Sequence, residues 1–348
     1  MSRQLALDTI NLQRTPRPAH IDFSMEYHQG YLRKVTGLEP SAPGFHRRFY
    51  DLWDFDMLWG TNDGLHGDWA RRGRSTDMGH AEYAAGGTDM RPESPSPFQS
   101  VEEVWAFDAV KEYGLPDFRE QVAAYEAAYQ NMTASFPGQL ATGGYYKTIV
   151  SGAIQAFGWD MLLTAAADQV KFERVLDSIF RFTLFHMEAW AQTTAPVLIQ
   201  HDDFVWTAGP FMDPAFYRQA IIPRFAELWK PLHKAGKKVL FCSDGTFTMF
   251  AEDIVAAGAD GLIFEPSNDF GFMVERFGRS TCLVGSAVDC RQMTYGTWAE
   301  VRAQVDRTLA LAPQCRGLMV AVGNHIPANV SDEMCAQYMA YLQQHWTR

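Results

Sequence analysis

The stretch KKVLFCSDG, residues 237–245, decides how the second half of this chain is read. A short β-branched and apolar run ends abruptly in a thiol, a carboxylate and a glycine, which is how a buried parallel strand ends where its loop begins. The same grammar recurs in APVLIQHDDF (195–204), ADGLIFEP (259–266), TCLVGSAVD (281–289) and RGLMVAVGNH (316–325). Between these strands lie amphipathic segments with helix signals. Asp213 and Pro214 open one that Gly236 closes, with Pro223 as a candidate kink; Gly258 closes the next; Thr297 and Glu300 have capping-box spacing. Strand, helix, strand in this rhythm predicts a parallel sheet with right-handed crossovers.

With 348 residues, 47% of them hydrophobic, the chain is long enough for one closed (β/α)8 barrel, an α/β TIM barrel with an N-terminal extension and long loops. We expect a single domain over 1–348. The extension, the first units and a lid-like loop (residues 70–100) occupy 1–100, and the remaining barrel occupies 101–348. In the first half, YDLWDFDMLWGTNDG (50–64), GQLATGGYYKTIV (138–150) and the helix-like VEEVWAFDAV (101–110) behind Ser100 and Glu103 fit earlier units. The glycine-rich pieces AAGG (84–87) and ATGGYY (141–146) lack Walker spacing and a lysine, and read as turns. No GxGxxG follows an early strand, which weighs against a dinucleotide site.

The net charge of −11 and the absence of a basic cluster argue against nucleic acid or an anionic membrane as partner. No run approaches the roughly 20 apolar residues of a membrane span, and the N-terminus has no signal-like apolar core, so a cytoplasmic location is expected. Five scattered cysteines, Cys242, Cys282, Cys290, Cys315 and Cys335, read as reduced thiols rather than a disulfide framework.

In a barrel all strand C-termini meet on one face, so residues distant in sequence become neighbours. The five strands bring His201, Asp202 and Asp203; Cys242 and Asp244; Glu265; Asp289; and Asn324 and His325. Sulfur, imidazole and carboxylate together suit zinc, and Cys242 and Asp244, two apart on an extended chain, can face one ion. Each residue also has a plain structural reading. Adjacent acids such as Asp202 and Asp203 hold substrate or a histidine, or cap the next helix. Glu265 is a general base, a ligand or a salt-bridge partner. His325 is a ligand, a substrate donor or a turn-stabilising histidine, and Asp289 pairs with a neighbour such as Arg291. Of Trp53, Trp59, Phe204 and Trp206, most are core and one or two wall an apolar pocket.

Taken in order, HDDFVWTAGPFMDP, FCSDG, DGLIFEPSNDFG, LVGSAVDCRQMTYGTWAEV and GNHIPANVSDE resemble the uroporphyrinogen decarboxylase superfamily, including its cobalamin-linked methyltransferase branch. The resemblance covers roughly residues 196–345. It implies a (β/α)8 barrel with its site at the strand C-termini. The decarboxylases share an Arg-rich N-terminal segment for the tetrapyrrole carboxylates, which this chain lacks. The methyltransferases hold zinc with a His-x-Cys pair, where this chain has Cys242-Ser-Asp244, and with a Cys near the last strand, where it has Asn324 and His325. The implied activity is zinc-assisted transfer of a methyl group from a small methylated, methoxylated aromatic substrate to cobalamin. No DxHxxG segment is present, so the cobalamin is expected on a separate corrinoid protein. On this reading Cys242, Asp244 and His325 hold the metal, and Glu265, Asp202 and His325 are catalytic. His201, Asp203, Phe204, Trp206, Trp59 and Asn324 contact substrate. The alternatives are a metal-independent decarboxylase or lyase of a small acid, and a non-catalytic ligand-binding barrel.

Overall fold

A computed structural model describes residues 2–61, 69–76, 82–83, 89–90, 95–285 and 287–347. Seven strands form one all-parallel sheet: β1 (Ala19–His20), β2 (Gly143–Tyr146), β3 (Val197–His201), β4 (Lys238–Ser243), β5 (Gly261–Phe264), β6 (Cys282–Gly285) and β7 (Leu318–Val320), in the spatial order β1-β7-β6-β5-β4-β3-β2. The two edges are joined by residues 56–58. The Asp56 amide donates to the His20 carbonyl on one side, while Leu58 and Asp56 exchange bonds with Leu140 on the other. That extended segment is the eighth stave, and the sheet closes into the predicted (β/α)8 barrel.

Alternation along the strands sorts the side chains. Val197 and Ile199, Leu240 and Cys242, Ile263, Val284, Met319, Ala321, Leu140 and Met57 pack inside the barrel, and Ala6 and Ile10 of the helix Ser2–Ile10 join them. Residues of opposite parity, such as Leu198, Phe241, Leu262 and Leu283, face the helical layer. Burial of this two-layer core, at about 25 cal/mol per Å2 of apolar surface, is what holds the staves in register.

Local sequence explains most boundaries. Asp213 accepts from the Ala215 amide with Pro214 behind it, Gly236 and Gly258 take positive φ at the helix ends, and the Thr297–Glu300 capping box is complete. Around Pro223 the helix has a π turn over Tyr217–Ile221, directly before the helix Ile222–Lys234; proline lacks the amide that would continue the regular ladder. VEEVWAFDAV forms two helices, not one: Val101–Trp105 ends, and Asp108 caps Ala109–Tyr113.

The larger correction concerns ATGGYY. Its place in an earlier unit, within GQLATGGYYKTIV, holds, but Gly143–Tyr146 is not a turn: it is strand β2, and its glycines answer to packing, since a Cβ on Gly144 would lie 1.8 Å from the Gly60 carbonyl oxygen. Of the lid-like loop, AAGG and most of 77–94 lie outside the described residues. Arg74 anchors its near end by pairing with Glu112 and Glu103 and stacking on Phe98. All five cysteines are free thiols, and among the described residues no helix is long and apolar enough to cross a membrane.

Candidate active site

The inward parity of each strand carries on past its last residue into the loop. Val197, Ile199, His201 and Asp203 share one face of their strand, as do Leu240, Cys242 and Asp244, and then Ile263 and Glu265. His201 Nε2 lies 2.8 Å from Asp203 Oδ1, which also accepts from the Asp244 backbone amide at 2.9 Å. The Tyr146 hydroxyl donates to the other oxygen, Oδ2, at 2.8 Å, and its ring stacks on the imidazole with centroids 4.1 Å apart. Trp59 meets the same imidazole edge-on. Ligand atoms of His201, Asp203 and Asp244 all lie within 4.8 Å of one another.

Electrostatics follow from this packing. Burial alone would lower His201, but the Asp203 carboxylate and the Cys242 sulfur outweigh it and hold the imidazole well above its ordinary value. Burial would raise Asp203, but the His201 charge and hydrogen bond, with the Asp244 amide and the Tyr146 hydroxyl, hold it below the usual carboxylate range. Burial pushes the Cys242 thiol up to about 11, with His201 pulling the other way. The sulfur is therefore a neutral thiol near pH 7 until a cation displaces its proton.

Across the mouth, Asn324 donates to Glu265 Oε1 at 2.8 Å and to Asp244 Oδ2 at 3.3 Å, and its own oxygen faces His325 Nδ1. Asn324 does this with φ of +68°, a left-handed conformation asparagine tolerates better than most residues. The second oxygen of Glu265 accepts from the Gly245 amide at 2.7 Å. Gly245 has φ of +81° and the Val205 and Trp206 carbonyls 2.7 Å from where a Cβ would be, so glycine is required at this turn.

These groups open into a cavity of about 590 Å3. Of the residues expected from sequence, His201, Cys242, Asp244, Glu265, Asn324, His325 and Trp59 line it, and Asp203 is braced against His201 and Asp244. Asp202 does not reach it. It points the opposite way, fully buried, and accepts from the Thr148 hydroxyl and the amides of Ile149, Val150 and Ser151 at the start of the helix Val150–Phe157. Phe204 is core among Tyr217, Phe225 and Phe241, and Trp206 packs on Trp159 and Phe211 outside the cavity. Trp53 is core as well. Asp289 caps its helix through the Arg291 backbone amide, not through the guanidinium. Cys242, Asp244 and His325, the expected ligand set, all line the cavity. Among the described residues the acidic and imidazole donors that converge are His201, Asp203 and Asp244, because His201 lies on the strand beside Cys242 whereas His325 turns toward Asn324.

Sequence reasoning missed Tyr146, hidden in the glycine-rich run, and the first-half wall of Asp22, Phe23 and Leu58. One signal was available: Asp203 shares parity with Val197 and Ile199 and Asp202 does not, which separates the two acids by sequence position alone.

The fold and site thus define a barrel enzyme scaffold with an acidic, imidazole-bearing mouth. Residues 91–345, well over half of the chain, match the family described as uroporphyrinogen decarboxylase (URO-D), and the chain belongs to that family. Similar solved structures include a methyltransferase from Methanosarcina mazei, at 15% identity over 99% of this chain and 98% of that one, with a TM-score of 0.64. At that identity the likeness speaks for the fold. D-psicose 3-epimerase from Clostridium cellulolyticum H10 is similar at 12% identity over 65% of this chain and 85% of that one, with a TM-score of 0.38. No curated protein matches the chain in sequence.

Proposed function

We propose that this barrel, acting as one domain over residues 1–348, is a methyltransferase that moves a methyl group from a small methoxylated aromatic compound to a separate corrinoid protein. The observation that carries the reading is the charge of the cavity wall. Asp22, Glu26, Asp244 and Glu265 line it, and among the described lining residues there is no Arg or Lys. A tetrapyrrole with many carboxylates needs a basic cleft, and a small substrate acid needs a cation not already paired, whereas the raised His201 imidazole is held by Asp203. An acidic wall with imidazoles and aromatic rings favours a neutral ether instead.

A zinc ion suits the donor set, since one imidazole and two carboxylates fall within 4.8 Å and the Cys242 sulfur adjoins the imidazole. His201, Asp203 and Asp244 would hold it, with Cys242 as a further ligand. When bound, zinc supplies Lewis-acid polarisation of an oxygen.

The chain's own groups do the rest. Tyr146 fixes Asp203 by its hydroxyl and His201 by stacking, so both are oriented before any ligand arrives. Asn324 bridges Asp244 and Glu265 through one amide nitrogen. Phe23 and Trp59, edge to face at 4.5 Å, form an aromatic corner for the substrate ring. His325, on the wall beside Asn324, would supply the proton that the departing oxygen takes when the methyl group is transferred.

The test pairs metal analysis with turnover. Purified protein should contain about one zinc per chain and demethylate a methoxylated aromatic in the presence of a reduced corrinoid protein. Chelation should abolish turnover and zinc should restore it. Full activity after chelation would overturn the reading in favour of metal-free acid–base chemistry.

A further inference from the structure

The cavity does not end at the barrel interior. Met57, Ile263 and Ala321, which line it, belong to the core inside the staves, whereas Phe55 and Leu58, which line it too, belong to the layer outside them. One continuous space therefore touches residues of both layers. The wall is thin at that point: β1 is two residues long, and residues 56–58 are held to it through the Asp56 amide on the His20 carbonyl. Phe23 and Trp59, which follow those two staves, meet edge to face at 4.5 Å.

Away from His201 and Asp244, on the side of the N-terminal segments, the space is bounded by Glu26, Tyr27, His46, Tyr50, Met132 and Phe136. Tyr50 stacks on Phe55 at 4.8 Å and packs against Phe136 at 5.2 Å, giving a flat aromatic side. Tyr27 and Met132 are about half and a third exposed, at 52% and 38%, so this lobe meets solvent. His46 Nε2 is enclosed and makes no hydrogen bond among the described residues. A buried polar atom without a partner is costly unless a ligand or water supplies one. Burial, with the Glu26 charge adding to it, pushes the Tyr50 phenol up to about 12, so it remains a protonated donor at neutral pH.

We propose that this outer lobe is a second subsite that binds the distal part of an elongated substrate: an uncharged aromatic group bearing a hydroxyl, hydrogen-bonded to His46 and laid against Tyr50 and Phe136. The inference rests on the proposed function for which end of the molecule reacts, with the methoxy group at the inner lobe. Three observations select this ligand class. The whole cavity of about 590 Å3 is of the size that encloses a ligand larger than one ring. The outer wall is aromatic. Its one fixed charge among the described residues, Glu26, repels a carboxylate tail and accepts from a hydroxyl.

Binding to the zinc-supplemented full chain, followed by tryptophan fluorescence, tests it with three probes: methoxybenzene, a methoxybiphenyl with a distal hydroxyl, and the same biphenyl with a distal carboxylate. The hydroxyl biphenyl should bind at least tenfold more tightly than methoxybenzene, and the carboxylate form should lose most of that gain. His46→Ala and, separately, Tyr50→Leu, which removes the aromatic face, should weaken the hydroxyl biphenyl about fivefold and leave methoxybenzene unchanged, while His46→Gln, which keeps a polar partner, should retain most of the affinity. Circular dichroism of each variant checks the fold. Equal affinity for the three probes, or parallel losses for one-ring and two-ring probes, would overturn the subsite. Selective binding without any methyl transfer would leave the subsite standing and remove the proposed reaction instead.

Discussion

Asp202 offers the sharpest separation of a structural acid from a reacting one. Its carboxylate is wholly buried and accepts four hydrogen bonds, from the Thr148 hydroxyl at 2.6 Å and from the amides of Ile149, Ser151 and Val150 at 2.7, 2.8 and 3.2 Å. Each bond to a charged acceptor contributes about 1.5–3 kcal/mol net, and each buried donor left without an acceptor costs about 1–3 kcal/mol. The four share one carboxylate, and water enters part of the space vacated by truncation, so the losses do not simply add. For Asp202→Ala we expect a destabilisation of about 3–5 kcal/mol, the range for breaking a buried charged network. That is a large share of the 5–15 kcal/mol typical of a folded protein. Burial pushes the Asp202 carboxyl up from its ordinary value in spite of the hydroxyl and amides around it, so a neutral isostere is tolerated better. Asp202→Asn, which keeps one acceptor oxygen, should cost about 1–2 kcal/mol. Urea unfolding at neutral pH measures both, and zinc content of the folded fraction should stay at the level of the unaltered protein. An Asp202→Ala protein that unfolds at the original urea midpoint yet has lost its turnover would refute this reasoning and return Asp202 to the reacting groups.

Tyr146→Phe keeps the ring on His201 but removes the hydroxyl from Asp203; zinc affinity should fall about tenfold with stability nearly unchanged, as read by competition with a chromogenic chelator. Affinity within twofold of the original would mean that the hydroxyl does not orient the carboxylate. Asp260 is a candidate for acid sensitivity: burial would raise it, but His233, Lys238 and the Val239 amide outweigh burial and hold it below its ordinary value. Its stabilisation is therefore complete above the unfolded value of about 3.9 and is lost as pH falls through the lower folded value. Asp260→Asn should narrow the difference in urea midpoint between pH 6 and pH 3, and an unchanged difference would exclude Asp260 as a contributor.

The strands of the second half were legible because each carries its own evidence locally. Apolar runs stop at a polar residue, and capped helices such as the one opened by Thr297 separate them. The first half resisted for a physical reason. Residues 56–58 form a stave only through bonds to His20 and Leu140, and nothing in DFDML declares that pairing. Glycine in GGYY reads as turn chemistry, yet here it is selected by the backbone at Gly60 pressing on the strand. Tyr146 could not be assigned to the site until that strand had a neighbour in β3 to bring it over His201.

What this sequence determined by itself was the barrel, and the identity of the strand ends that meet at its mouth: period-two alternation and helix caps are encoded by nearest neighbours along the chain. What only the tertiary structure decided was which of those polar ends face one another. Asp202 and Asp203 are chemically alike and adjacent. One is taken up by the start of a helix some 50 residues earlier in the chain, and the other is drawn onto His201 by Tyr146 and the Asp244 amide. Partner choice among like groups depends on distances that close only when the staves do.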